Sequence, residues 1–427
     1  MSTNHENVNA LLRDIPLPKM YKVRQVFDTA RIEDVAGELK KQLNRPEILS
    51  AVKPGMRIAV TAGSRGIDNI VLILRETVSF LHERGAFPFI IPAMGSHGGA
   101  TAEGQTAILE SLGITEESMG CPICATMEVK VLTHLADGTP VHMDRFAYEA
   151  DGVVVVNRVK PHTGFRGRYE SGLFKMMTVG LGKQKGAEMT HGRGRLKMGE
   201  TIELCGNAYL NHANILFGVA TVENSFDKTY QLAALTKEEI REQEPTLLET
   251  ARKLLPSLYL QYADVLVVDR MGKNISGTGM DTNITRSYTH GYGISREGRA
   301  KRIAVLDLTE ESHGSAVGIG QGDVTTQRLF DKMDFNTTYP NLLTSGGTDS
   351  AKIPMILDNQ RLAIQAAIKT STGSDPKNVK LIRIQDTLHI TEIEVSQGFI
   401  EQVKNTPGME ILEGPYDWAF NEDGDLF

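Results

Sequence analysis

The chain has little of what holds small secreted folds together, with three cysteines among its 427 residues. Three thiols make no disulfide framework, so a reducing, cytoplasmic location is expected. No apolar run approaches the roughly 20 residues that a membrane-spanning helix needs. The amino terminus, Met1-Ser-Thr-Asn-His-Glu-Asn, lacks a basic region followed by an apolar one, so no signal peptide is expected. Positive charge is not in excess either. Net charge is −7 with no long basic block, which argues against a nucleic-acid binder and leaves room for a locally cationic site. Gly180-Leu-Gly182-Lys183 has neither phosphate-loop nor GxGxxG spacing, and no GxSxG or HExxH is present. Cys121-Pro-Ile-Cys124 has no partner pair, since Cys205 stands apart, and reads as two half-buried thiols rather than a zinc site.

What is present describes an ordinary globular enzyme-sized chain, 41% apolar and 23% charged, and too long for one core. Strand and helix patterns alternate, which predicts two α/β domains with a cleft between them, the first with a largely parallel sheet. The boundary is placed near 270, giving 1–270 as a cofactor-binding domain and 271–427 as a substrate-covering one. In the first domain the spacing predicts a strand over 19–27 and a helix over 31–44 closed by Pro46. A strand Arg57-Ile-Ala-Val-Thr61 follows, then a helix capped by Asp68, a strand over Phe87–Pro92 and a helix capped by Thr101. Further strands are expected at Val129–His134, 153–157, 215–222 and 264–268, with helices near 145–149, 203–209 and 236–255. Beyond 270 the pattern predicts strands at 302–308, 379–384 and 390–395 and helices at 325–332 and 353–367.

One stretch concentrates the chemistry. The run Val153-Val-Val-Val-Asn-Arg-Val-Lys-Pro-His162 puts an imidazole just past a buried strand, where open α/β sheets place ligands. A glycine-rich, cationic loop follows, carrying Arg166, Arg168 and Lys175 and reaching Thr190-His191-Gly192. Two earlier strand-to-helix loops carry Ser64-Arg65 and Gly95-Ser-His97-Gly-Gly. His97, His162 and His191 are thus three histidines in glycine-flanked loops. The other eight (His5, His82, His134, His142, His212, His290, His313 and His389) read as structural or surface residues, with His290 in Thr-His-Gly-Tyr-Gly the nearest to an exception. Lys175, between Leu173-Phe174 and Met176-Met177, has two readings. It is a solvated cation that helps hold a carboxylate, or a desolvated amine with a lowered pKa, fit for covalent attachment.

Taken together, Gly63-Ser64-Arg65, Gly95-Ser-His97, Pro161-His162-x-Gly-Phe and Lys175 followed 16 residues later by His191 resemble the nickel-pincer nucleotide-dependent lactate racemase family. The resemblance covers roughly 20–270, and the rest only in outline. It implies a 2-hydroxy acid racemase or epimerase whose pyridinium mononucleotide, with thioamide and thiocarboxylate arms, is tethered to Lys175 and holds nickel. His191 would be the nickel's protein ligand, and His97 and His162 the acid/base pair. Arg65 and Ser64 would bind cofactor, with Arg65 also reaching the substrate carboxylate. Cofactor-maturation proteins would be partners.

The departures shape the substrate expectation. The His162-to-Lys175 interval is longer than in lactate racemases, which is expected to add Arg168-Tyr169-Glu170 to a pocket wall, and Ala62 replaces an acidic residue. Gly277 and Met280 stand where lactate racemases carry a Gln and a Lys, amid Lys273, Asn274, Thr278, Asp281, Asn283 and Arg286. Lys273, Asn274 and Asp281 are therefore expected to bind a longer, polyhydroxy substrate, an aldonate such as gluconate. Two other readings stand beside this one. A dehydratase or lyase would hold a metal on His97, His162 and His191, and a non-catalytic binder of anionic metabolites would need only the arginines.

Overall fold

A computed structural model describes residues 6–289, 294–296, 298–375 and 378–427. His5 and His290 lie outside the described residues. The chain forms two compact units, residues 28–255 and residues 1–27 with 256–427. Both are α/β, and no helix among the described residues is long and apolar enough to cross a membrane.

The sheet of the 28–255 unit has the spatial order Phe87–Pro92, Arg57–Ala62, Gly152–Arg158, Ile215–Glu223, Thr229–Leu235. The first four are parallel and the last is antiparallel. The apolar runs are continuous because alternate residues enter different cores. Val153 and Val155 pack on one face with Ala59, Phe89 and Ile91, while Val154 and Val156 pack on the other with Ile58, Val60 and Ile90. Thr236 and Glu239 form a capping box that starts the helix Lys237–Leu254.

Several local expectations shift. The helix expected over 31–44 begins at Val35, because the Asp34 carboxylate accepts the Gly37 N–H at 2.8 Å. Pro46 closes nothing; it sits at the first position of a further helix, Pro46–Ala51, where its missing N–H costs no bond. Asp68 caps no helix either. Its carboxylate takes the Thr229 N–H and hydroxyl, both at 2.9 Å, and ties the Arg65 loop to the antiparallel edge strand. Val129–His134 leaves the main sheet and forms a hairpin with Pro140–Asp144. Cys121, Cys124 and Cys205 are free thiols, with burial raising the pKa of each.

The other unit has an eight-stranded sheet in the order Met355–Leu357, Val324–Thr326, Ala300–Leu308, Ala263–Met271, Leu381–Ile384, Glu392–Ser396, Met20–Gln25, Met409–Tyr416. The first five are parallel and the last three pair antiparallel. Here too the faces alternate, Val265 and Val267 on one side, Leu266 and Val268 on the other. The expected boundary near 270 thus falls inside a central strand, Ala263–Met271. The first 27 residues belong with the carboxyl-terminal half, because Met20–Gln25 bridges two of its strands. The segments expected to start helices at 325 and 353 contain the short strands Val324–Thr326 and Met355–Leu357 instead; Thr326 and Asn359 cap the helices that follow them.

Met20 and Val23 are fully buried. At about 2 kcal/mol for each buried side chain, and with Met409–Tyr416 left unpaired and one edge of Glu392–Ser396 exposed, a chain lacking residues 1–27 is expected to lose much of the stability of the 256–427 half. Urea unfolding followed by proteolysis should show that half melting well before 28–255; unchanged, coincident transitions would refute this.

Candidate active site

Three neighbouring parallel strands, Phe87–Pro92, Arg57–Ala62 and Gly152–Arg158, open at their carboxyl ends into the loops carrying His97, Ser64-Arg65 and His162. Loops that are far apart in sequence are brought to the ligand-binding end of one sheet.

Lys175 and His191 arrive differently. The expected loop is largely helical: a turn Leu173–Lys175 runs into a π-helical segment Met176–Leu181 and then an α-helix Lys183–Gly192. His191 occupies its last turn. π segments recur at functional sites. The glycines that suggested a loop serve close packing instead. A Cβ on Gly180 would lie 2.7 Å from the Ala93 carbonyl oxygen, and the Gly180 carbonyl accepts the Gly95 N–H at 3.3 Å. Glu244, on the helix Lys237–Leu254, covers the start of the run by accepting the Phe174 N–H at 3.1 Å.

The loop 161–170 is closed at its base by a bridge between Lys160 and Ser171. Within it Glu170 is buried and takes the His162 N–H at 2.7 Å, the Gly167 N–H at 3.3 Å and the Arg252 guanidinium at 2.7 Å. Tyr169 is fully buried, stacked on Phe174 at 3.6 Å with its hydroxyl donating to the Arg241 carbonyl at 2.7 Å. Arg168 faces Glu203 at 3.7 Å. Tyr169 and Glu170 therefore build the loop's foundation rather than a pocket wall, since both spend their polar atoms on protein partners.

Electrostatics draws the site residues together. Burial brings the Lys175 amine down to about 8, helped by the positive charges of Arg65 and Lys160 and opposed by Glu170. Burial also holds His162 well below its ordinary value, with Lys175, Arg166, His191 and Lys160 adding to it. The Gly164 N–H donates to His162 Nδ1 at 2.9 Å, so neutral His162 keeps its proton on Nε2. His97 Nδ1 meets the Ser64 hydroxyl at 2.5 Å. When Nδ1 donates, Nε2 of His97 is left as a base. Among the described residues no three His, Cys, Asp or Glu side chains form a cluster able to hold a metal ion. The three-histidine metal site of the lyase reading therefore has no counterpart there.

In the other unit Lys273 and Asn274 follow the strand Ala263–Met271, again at a carboxyl end. Asn274 accepts the Thr309 hydroxyl at 2.7 Å, and the Lys273 amine donates to the Gly277 carbonyl at 3.2 Å. Asp281 caps the turn Thr282–Thr285 and bonds Asn283 through the same oxygen. Met280 is fully buried in the apolar core, which removes it from any role facing substrate. Sequence reading missed Glu244, Asp144 and Gln105, which carry no motif and act through contacts between distant segments.

Residues 9–200 match the family model of the lactate racemase N-terminal domain. Over that segment, a little under half of the chain, it is similar to the lactate racemase family. That similarity supports an isomerase, a racemase or epimerase in the broad sense. Among solved structures it is similar to the lactate racemase apoprotein from Thermoanaerobacterium thermosaccharolyticum, with TM-score 0.53 and 13% identity over 86% of this chain and 99% of that one. That likeness speaks for the fold. No curated protein sequence matches.

Glu244 makes the foundation of this site pH-sensitive. Burial raises its carboxyl from 4.5 to about 8, so the folded protein binds this proton more tightly than the unfolded chain does. Stability therefore falls as pH rises from about 4.5 to about 8. Glu244→Gln, which keeps the acceptor for Phe174, is expected to flatten that fall. Thermal melts across this range that decline equally in both proteins would contradict the assignment.

Proposed function

We propose that this protein inverts C2 of a 2-hydroxy acid using a nickel-pincer nucleotide tethered to Lys175. The observation that carries the reading is the Lys175 amine, lowered to about 8 amid Arg65 and Lys160, on one helical run with His191 and within electrostatic reach of His162. These residues fit the group. Lys175 offers an amine whose pKa, lowered to about 8, frees a far larger neutral fraction near working pH than an ordinary lysine has, the cations suit anionic substituents, and His191 offers one imidazole to a metal whose other donors come from the nucleotide. When bound, the group supplies an acceptor for the hydride that leaves C2.

The chain supplies charge and protons. Arg65 holds the substrate carboxylate. His97, fixed by Ser64, takes the hydroxyl proton through Nε2 as C2 becomes planar. The proton that His97 took returns from it to oxygen as hydride returns to C2, and His162, kept neutral with Nε2–H, donates a hydrogen bond that holds that oxygen in the opposite enantiomeric pose. Lys273, Asn274 and Asp281 are the further substrate-binding residues of the proposal. Their density of hydroxyl- and amide-bearing neighbours supports a polyhydroxy tail, so the substrate class is an aldonate such as gluconate. Maturation proteins that build the nucleotide act as partners, in a reducing cytoplasm.

Protein from a host able to make the nucleotide should carry nickel and a covalent adduct mapping to Lys175, and Lys175→Ala should lose the adduct while staying folded. With D-gluconate deuterated at C2, the C2 epimer should form with deuterium retained. His97→Ala should slow it by about 10²–10⁴-fold. Absence of the adduct would sink the cofactor assignment; efficient racemisation of lactate with no gluconate epimer would sink the aldonate assignment.

A further inference from the structure

Lys183 has no part in that chemistry, yet its side chain is fully buried. Its ammonium is held from three sides. Nζ lies 3.1 Å from Oδ2 of Asp144, itself wholly buried at the end of the strand Pro140–Asp144. It donates to Oε1 of Gln105 at 3.0 Å and to the carbonyl of Pro92, the last residue of the strand that leads to His97. Gln105 is fully buried as well, and its Nε2 donates to the carbonyl oxygens of Gly95 at 2.9 Å and His97 at 3.3 Å. An unbroken polar chain thus runs from the hairpin, through Lys183, to the loop presenting His97.

Two further features point the same way. Lys183 has φ +54°, a left-handed conformation that non-glycine residues rarely adopt and that persists where the surroundings over-determine it. It sits where the π-helical segment gives way to the helix Lys183–Gly192, and the Gly95-to-Gly180 bond lies close by in sequence. An apolar side chain would fill this space without taking an ion out of water. A buried ion pair contributes little net stability, but its geometry is exacting.

We propose that Lys183, with Asp144 and Gln105, is a positioning residue that sets the His97 loop against the helical run carrying Lys175 and His191. What His97 does there rests on the reading above; the coupling of loop to helix does not. The network holds the proton carrier in register with the cofactor-bearing helix, and neither Lys183 nor Gln105 touches a reacting atom.

The test begins with cofactor-free protein. Gln105→Met removes both bonds to the loop without stranding a charge, whereas Lys183→Met alone would leave Asp144 buried and unpaired. A second variant, Lys183→Met with Asp144→Asn, removes both charges and keeps an acceptor for the Ala147 N–H that Asp144 caps. In either variant, backbone hydrogen exchange across 93–100 is expected to rise about tenfold, while the central strand Gly152–Arg158 stays protected. In nucleotide-loaded enzyme the same variants should lower kcat about tenfold with KM little changed, and shift the limb of the pH profile that belongs to His97. Exchange across 93–100 equal to the parent's in both variants would overturn the proposal. A parent enzyme that turns over no 2-hydroxy acid would instead refute the proposed reaction, and the exchange result would still decide the positioning role.

Discussion

A carboxylate shut away from water must be met by protein donors, and much of this site follows from how Glu170 is met. Its partners are the backbone of His162, the backbone of Gly167 and the guanidinium of Arg252. One buried charge therefore fixes both arms of the loop and anchors it to the helix Lys237–Leu254. That same helix offers Glu244 to the first turn of the Lys175 run. Loop and helical run share a support, so His162 and Lys175 are held in register by groups that stay out of the chemistry.

The cations crowded above this support work against one another. Lys175, Lys160, Arg65 and Arg166 all oppose protonation of their neighbours, and burial adds to the effect. An amine that loses its proton near neutrality and an imidazole that stays neutral are the outcome. Such an arrangement is unfavourable while the site holds no anion, and it becomes favourable once a phosphate or carboxylate enters. Preorganised positive charge thus favours an anionic occupant without requiring a net basic protein, in keeping with an overall charge of −7.

Strands were the most legible part of the sequence. Val153 to Val156 and Val265 to Val268 announce themselves because each alternate side chain enters a different core, leaving no polar residue in the run. The placement of His97, Ser64-Arg65 and His162 just past strand ends was legible too, from glycine-flanked positions after apolar runs. The element from Leu173 to Gly192 was not. Gly180 and Gly182 read as loop residues when viewed locally, whereas Gly180 lets the helical run press against the Ala93 carbonyl of another segment and Gly182 lets it pack on its own Thr178 carbonyl. Tyr169 and Glu170 misled for a related reason: inserted polar residues suggest a pocket, and burial with full hydrogen bonding makes them foundation.

The sequence by itself determined the α/β alternation, the parallel strand ends and the set of histidines, lysine and arginine that carry the resemblance to lactate racemases. Those features are local, written in short periodicities and fixed intervals. Only the tertiary structure decided that the first 27 residues complete the sheet of the distant half, because strand pairing depends on unpaired backbone edges that no local pattern records. It also decided that Asp68 serves Thr229, that Lys183 reaches Asp144 and Gln105, and that Lys175 stands on a helix. The first two are contacts between segments far apart in the chain, where burial removes water and leaves the polar groups only one another, and the third follows from the close packing of Gly180 on Ala93.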